Sequence, residues 1–247
     1  VRSLAVVLAL AALLGGCASK GASIQVKAGP GVTDDSITLG VLTDQSGPFK
    51  PFGEARTKGY ELFLSDVNAH GGVCGRKIEL KVRDHGYNVQ RALDAYFDIE
   101  PQVLGFIDIT GTPMTDAIEP DLMQTRALAA PAGWSADLLG NPHMMVVGAT
   151  YDLEAINGLD YFKRTGVIKE GDTIGHLYLE GSYGGNAFEG STFAAGQWGM
   201  RVEAQAIQET TTDLTAQMVA LKTAGAKAVM LNTSPSQTAV AVMTAAK

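Results

Sequence analysis

Apolar and polar positions along the chain follow two alternating periods. Short runs such as ITLGVL (37–42), IELKV (78–82) and VLGFI (103–107) have the length and branched-residue content of buried strands. Between and after them, residues 54–69, 89–99 and 115–124 carry apolar side chains at three- and four-residue spacing. In the first of these segments Tyr60, Phe63, Leu64 and Val67 share one helical face, and Gly71 and Gly72 end the helix. ALAA (127–130), just before Pro131, predicts a short strand, and MMVVG (144–148) predicts a fifth. After Gly148, Ala149 and Thr150 the pattern restarts. It predicts a helix over 152–165, strand TIGHLYL (173–179), helix 187–198, strand 202–207, helix 214–224, strand AVMLN (228–232) and a helix from 237 onward.

Strands that alternate with amphipathic helices predict an α/β protein with parallel sheets covered by helices. The restart predicts two doubly wound parallel-sheet lobes, 36–148 and 149–247, joined by a hinge at the small residues around 148–150. The apolar run TAVAVMTAA approaches Lys247 without a capping glycine, and three strands would leave the second lobe with an uncovered edge. The second lobe is therefore expected to be incomplete at its C-terminal side.

Ahead of the first lobe, Arg2, an apolar run over 4–14 and Gly15, Gly16 and Cys17 have the form of a secretory signal. LLGG followed by Cys17 resembles a bacterial lipobox, whose cysteine is acylated and becomes the mature N terminus. That places the rest of the chain outside the cytoplasm, held at the membrane by lipid on Cys17. A membrane-spanning anchor is the competing interpretation, but it needs about 18 apolar residues or more. Residues 18–35 have no apolar period and many small side chains, and read as a flexible tether.

Composition narrows the function classes. With 46% hydrophobic and 18% charged residues the chain can bury a sizeable core, and its net charge of -7 with no basic stripe argues against nucleic acid. Acylation of Cys17 would leave Cys74 as the remaining thiol. No Gly-x-Gly-x-x-Gly, Walker loop or Gly-x-Ser-x-Gly elbow follows a strand, and His70, His85, His143 and His176 lack metal-ligand spacing. The expectation is a non-enzyme with neither cofactor nor metal.

The stretch ITLGVLTDQSGPFKPFGEARTKGYELFLSDVNAHGGVCGRKIEL is similar to the opening of the branched-chain amino acid (Leu/Ile/Val) binding protein family, the type I periplasmic substrate-binding proteins of ABC transporters. GTPMTDAIEP, AAPAGWS, EGSYGGNAFEG and TDLTAQMVALKTAGAKAVML follow in the family's order, so the resemblance covers residues 36–247. It implies an extracytoplasmic protein that closes two lobes on a small polar ligand, an amino acid or related amide, and hands it to a transporter permease. It also implies a monomer.

In open parallel sheets a ligand sits outside the carboxyl ends of the strands, where loops lead into helix N termini. The resemblance maps carboxylate-binding contacts onto Thr110, Gly111 and Thr112, and further ligand contacts onto Ala132, Trp134 and Tyr183. Where amino-acid binders carry a small hydroxyl residue this chain has Trp134 with Ser135 beside it, and Ser234 stands in place of a family tyrosine. Asp44, Asp108 and Glu180 end strands facing the crevice and are candidates to meet a cation, although such residues more often cap loops. Phe49 and Phe52 are placed either to close the cleft or to pack beneath it. A sensory module of the same fold, signalling instead of feeding a permease, and an adhesin with a vestigial cleft are the competing functions.

Overall fold

The computed structural model describes residues 28–246. The signal-like segment, Cys17 and the tether up to residue 27 lie outside the described residues. The first sheet holds β1 (Ser36–Thr43), β2 (Lys77–Asp84), β3 (Gly105–Ile109) and β4 (Leu128–Ala129) in the order β2-β1-β3-β4. Every pair is parallel, with Ser36 opposite Lys77 and Thr43 opposite Asp84. Helices α1 (Lys50–Ala69), α2 (Val89–Ile99) and α3 (Thr112–Thr125) connect these strands. Leu42, Tyr96, Ile99, Phe106, Ile109, Ile118 and Leu122 form their shared core. Each such side chain contributes about 1.5–3 kcal/mol on burial.

The second sheet, in the order β6-β5-β7, contains β5 (Thr173–Leu179), β6 (Arg201–Ile207) and β7 (Ala226–Asn232), again all parallel. Helices α4 (Tyr151–Arg164), α5 (Ser182–Gln197), α6 (Thr215–Thr223) and α7 (Pro235–Ala245) surround it. Leu177, Leu179, Leu214 and Leu221 build one core cluster, and Leu159, Ile168, Ile174 and Met200 another. The architecture is the expected α/β fold with parallel sheets. In both sheets the chain leaves the central strand in opposite directions, to β2 and β3 around β1 and to β6 and β7 around β5. The loops at those reversal points diverge and open a crevice.

Among the described residues no helix is long and apolar enough to cross a membrane.

Three differences from the sequence expectation have a clear local cause. MMVVG is not a fifth strand. Only Met144 bridges Ala129, with Met145 N–H donating to Ala129 O at 2.7 Å, because β4 offers just two residues to pair with. Beyond it the chain leaves the sheet and runs past the Trp134 ring, and a Cβ at Gly148 would lie 2.7 Å from that ring. Helix α5 begins at Ser182 and not at residue 187, since Gly184 lets the first turn sit on β5. A Cβ there would come 2.0 Å from Leu179 O. Residues 31–35, read from sequence as tether, are pinned to the first sheet: Thr38 N–H donates to Gly31 O at 2.7 Å and Arg76 Nε to Thr33 O at 2.6 Å.

Candidate functional site

A cavity of about 650 Å3 opens between the two sheets, at the strand ends where the reversal points lie. From the first sheet, the turn after β1 and the start of α1 supply Phe49, Phe52, Arg56 and Tyr60. The turn after β2 supplies Tyr87, and the segment after β3 supplies Thr110, Gly111 and Thr112. Ala132 and Trp134 follow β4, and Tyr151, Glu154 and Tyr183 come from α4 and α5. Aromatic rings join the two sides. Phe49 stacks on Tyr87 at 4.5 Å and meets Tyr183 edge-on at 6.4 Å, and Tyr183 meets Tyr151 edge-on at 4.8 Å. Phe52, 52% exposed, stands at the mouth. Such a wall favours a ligand with an apolar or aromatic body.

Two of these rings depend on special backbone. Tyr87 has φ +60° directly after Gly86 at φ +53°, a left-handed pair that a non-glycine residue enters at a cost. The tight turn aims the phenol into the cleft. Its position is supported by Tyr87 N–H, which donates to His85 Nδ1 at 3.0 Å. Asp44 holds the neighbouring turn through Phe49 N–H and Ser46 N–H, at 2.8 and 3.2 Å, and so acts as a loop cap.

The polar floor is a closed cluster. Asp108, fully buried at the end of β3, accepts from Arg56 Nε at 3.1 Å and Tyr60 OH at 3.2 Å on Oδ2, and from the Thr110 hydroxyl at 2.9 Å on Oδ1. Arg56 Nη2 donates to Thr110 Oγ1 at 2.6 Å. Burial pushes the Asp108 carboxyl upward against the opposing pull of Arg56. Burial, reinforced by Asp108, pushes Tyr60 up to about 12. The ion pair and its hydrogen bonds therefore form as one unit.

On the second side, His176 is fully buried and burial pulls it down to about 4. Ser191 Oγ lies 2.6 Å from its Nδ1, and Asn232 Oδ1 lies 3.0 Å from its Nε2. With Asn232 Oδ1 as acceptor, Nε2 carries the proton, and the Asn232 amide faces the Tyr183 hydroxyl. A neutral imidazole thus fixes the side chain behind one wall of the cavity.

Of the residues singled out from the sequence, Thr110, Gly111, Thr112, Ala132, Trp134 and Tyr183 come together around the cavity. Thr112 and Tyr183 stand on first helical turns, not in loops. Thr112 Oγ1 is buried without a hydrogen bond of good geometry, although it faces the Tyr151 phenol. Trp134 spends its indole N–H on Pro131 O at 3.1 Å and offers an apolar ring. Ser135 and Ser234 do not line the cavity. Ser135 is buried and donates to Asp137 Oδ2 at 3.2 Å, and Ser234 caps α7 in a reciprocal capping box with Gln237. Glu180 bonds Gln208 at the surface.

Sequence reasoning missed Arg56, Tyr60, Tyr87, Tyr151 and Glu154. Arg56 and Tyr60 are spaced by one helical turn, the one signal that tied them together.

Residues 36–247 match the family described as periplasmic binding protein, and the chain belongs to it. This is a family of type I extracytoplasmic substrate-binding proteins, not of enzymes. The chain is similar in structure to a fatty acid ABC transporter substrate-binding protein from Thermomonospora curvata, with 39% identity and a TM-score of 0.87 over 90% of this chain and 57% of that one. A branched chain amino acid ABC transporter protein from Thermus thermophilus, solved with bound valine, shares 19% identity at a TM-score of 0.75 over 85% of this chain and 55% of that one. A substrate-binding periplasmic protein from Ralstonia solanacearum shares 20% at 0.77, over 85% and 60%. The latter two likenesses concern the fold alone. This chain spans less than two thirds of the length of each of these proteins. No curated protein matches it significantly.

Proposed function

We propose that this chain is the ligand-capturing part of a lipid-anchored solute-binding protein that passes a small organic molecule to an ABC transporter permease. The observation that carries the reading is the cavity between the two sheets, walled by aromatic rings from both sides. A ligand there touches both lobes at once, and differential contact with the closed form is what drives closure. The lobes meet through Asn186, whose Oδ1 accepts from Ala136 N–H at 3.1 Å and Asp152 N–H at 3.3 Å, close to the residues proposed as the hinge, 148–150. Ser182 also donates to Asp116 across the cleft.

The ligand body is apolar or aromatic. An amino acid with an apolar side chain satisfies these walls, and the family resemblance favours it. The relative named for fatty acids favours a longer aliphatic chain. Thermal unfolding against leucine, phenylalanine, hexanoate and decanoate tests the reading. A ligand at about 100 times its Kd adds about 2.7 kcal/mol, a rise of several degrees in Tm. Flat melting curves across the series would contradict it.

The anchor rests on the LLGG-Cys17 sequence. Replacing Cys17 with Ser in the expressed protein moves it from the membrane fraction to the soluble one. Continued retention would favour a spanning segment.

A further inference from the structure

Arg56 enters the cavity from the second turn of α1 with its side chain 32% exposed, while its partner Asp108 is fully buried behind it. The pair is single-pointed. Nε takes Asp108 Oδ2 and Nη2 takes Thr110 Oγ1, leaving Nη1 without a hydrogen-bond partner among the described residues. Arg56 and Tyr60 share Asp108 Oδ2 while the Thr110 hydroxyl takes Oδ1, so the carboxylate meets the guanidinium through one oxygen and does not chelate the fork. The Thr110 proton is committed to Asp108 as well, so this hydroxyl is not free to donate to a ligand. The cluster therefore grips one side of a guanidinium and presents its other donors to a space otherwise lined mainly by rings.

Resting on the reading above, we propose that Arg56 is the anion anchor of the cavity and that the ligand is an organic acid, its carboxylate on Arg56 and its apolar body among Phe49, Tyr87, Trp134 and Tyr183. A guanidinium fork matches a carboxylate in geometry and charge, and it stays protonated in an apolar site. Asp108, Tyr60 and Thr110 hold the fork so that little side-chain freedom is lost when the ligand arrives. Glu154 is the other charged lining residue, and it is exposed, so water screens its charge from an incoming anion. The shared chemistry is a carboxylate on an apolar body. Its source is either a zwitterionic amino acid, whose ammonium meets Glu154, or a simple monocarboxylate.

Calorimetric titration of the chain with a matched series tests this: leucine, 4-methylpentanoate, 4-methylpentanamide and isopentylamine, together with decanoate and decanamide. The acids are expected to bind roughly 10- to 100-fold more tightly than their amides, the range of one charge-assisted contact. Arg56→Gln removes that preference, and Arg56→Lys, which keeps the charge but loses the fork, restores part of it. Tighter leucine than 4-methylpentanoate, with the advantage lost in Glu154→Gln, assigns the zwitterion; equal or weaker leucine assigns the monocarboxylate. The acid-to-amide ratio is measured on the unaltered protein, so it stands even if Arg56→Gln folds poorly for want of a partner to Asp108. Equal binding of acids and amides overturns the anchor and leaves the binding-protein reading intact. Absence of binding by every probe overturns both.

Discussion

Polar side chains behind the cavity decide its chemistry as much as those that face it. The sequence marks Asp108 and Thr110 as strand-end groups, and the structure joins them to Arg56 and Tyr60, one helical turn apart on α1. Helical periodicity counts Tyr60 with the apolar face, and only the docking of α1 on the strand ends shows its hydroxyl and Arg56 turned to Asp108. His176 is the corresponding group on the second side. Burial lowers its pKa from 6.5 to about 4, so the unfolded chain binds more protons than the folded one between those values. The stabilisation is complete above pH 6.5 and is lost as the pH falls toward 4, amounting to about 3 kcal/mol at the rate of 1.36 kcal/mol per pKa unit. His85, also pulled down chiefly by burial, adds in the same direction. Denaturant titrations across this range should show the stability gap between the unaltered chain and His176→Gln narrowing as the pH falls. A constant gap would contradict the burial of a neutral imidazole.

At the scale of elements, local chemistry separates residues that build the fold from those that meet a ligand. Ser234 was a ligand candidate by resemblance, yet its hydroxyl and the Gln237 side chain close a capping box at the start of α7, and Gln237 Nε2 bonds Gln208 O at 2.9 Å. Ser234→Ala is expected to cost about 1 kcal/mol in unfolding free energy and to leave ligand affinity unchanged. A loss of affinity at unchanged stability would return the residue to the site. Strands were the more legible part of the chain: TIGHLYL is β5 residue for residue, because a buried parallel strand is a near-continuous apolar run, here broken only by Thr173 and His176. Helix starts were less legible. Gly184 and Gly185 resemble a loop, and only the close approach of α5 to Leu179 O explains the glycine at 184 inside a helix. MMVVG has a strand's composition, but β4 is too short to hold it in register. These failures cluster at the cleft, where backbone is shaped by close approaches and not by periodicity.

For the whole molecule, two sheets with separate cores meet across one aromatic cavity, a geometry suited to closing on a ligand. The α/β fold was legible, and so was a crevice at the strand ends, because the alternation of elements and the reversal rule both act on sequence order. Trp134, Tyr183, Phe49 and Phe52 were legible as aromatic residues near it, whereas Tyr87 and Tyr151 were not, since they come from segments with no motif of their own. The most direct test uses the two tryptophans: Trp134 lines the cavity, and Trp198 lies elsewhere under Lys163. Trp198→Phe leaves Trp134 as the sole indole reporter, titrated with the acid that binds most tightly by calorimetry. The account predicts a saturable change in Trp134 emission with the calorimetric Kd. Binding by calorimetry with unchanged Trp134 emission, and with affinity unaltered in Trp134→Ala, would place the ligand elsewhere and contradict it.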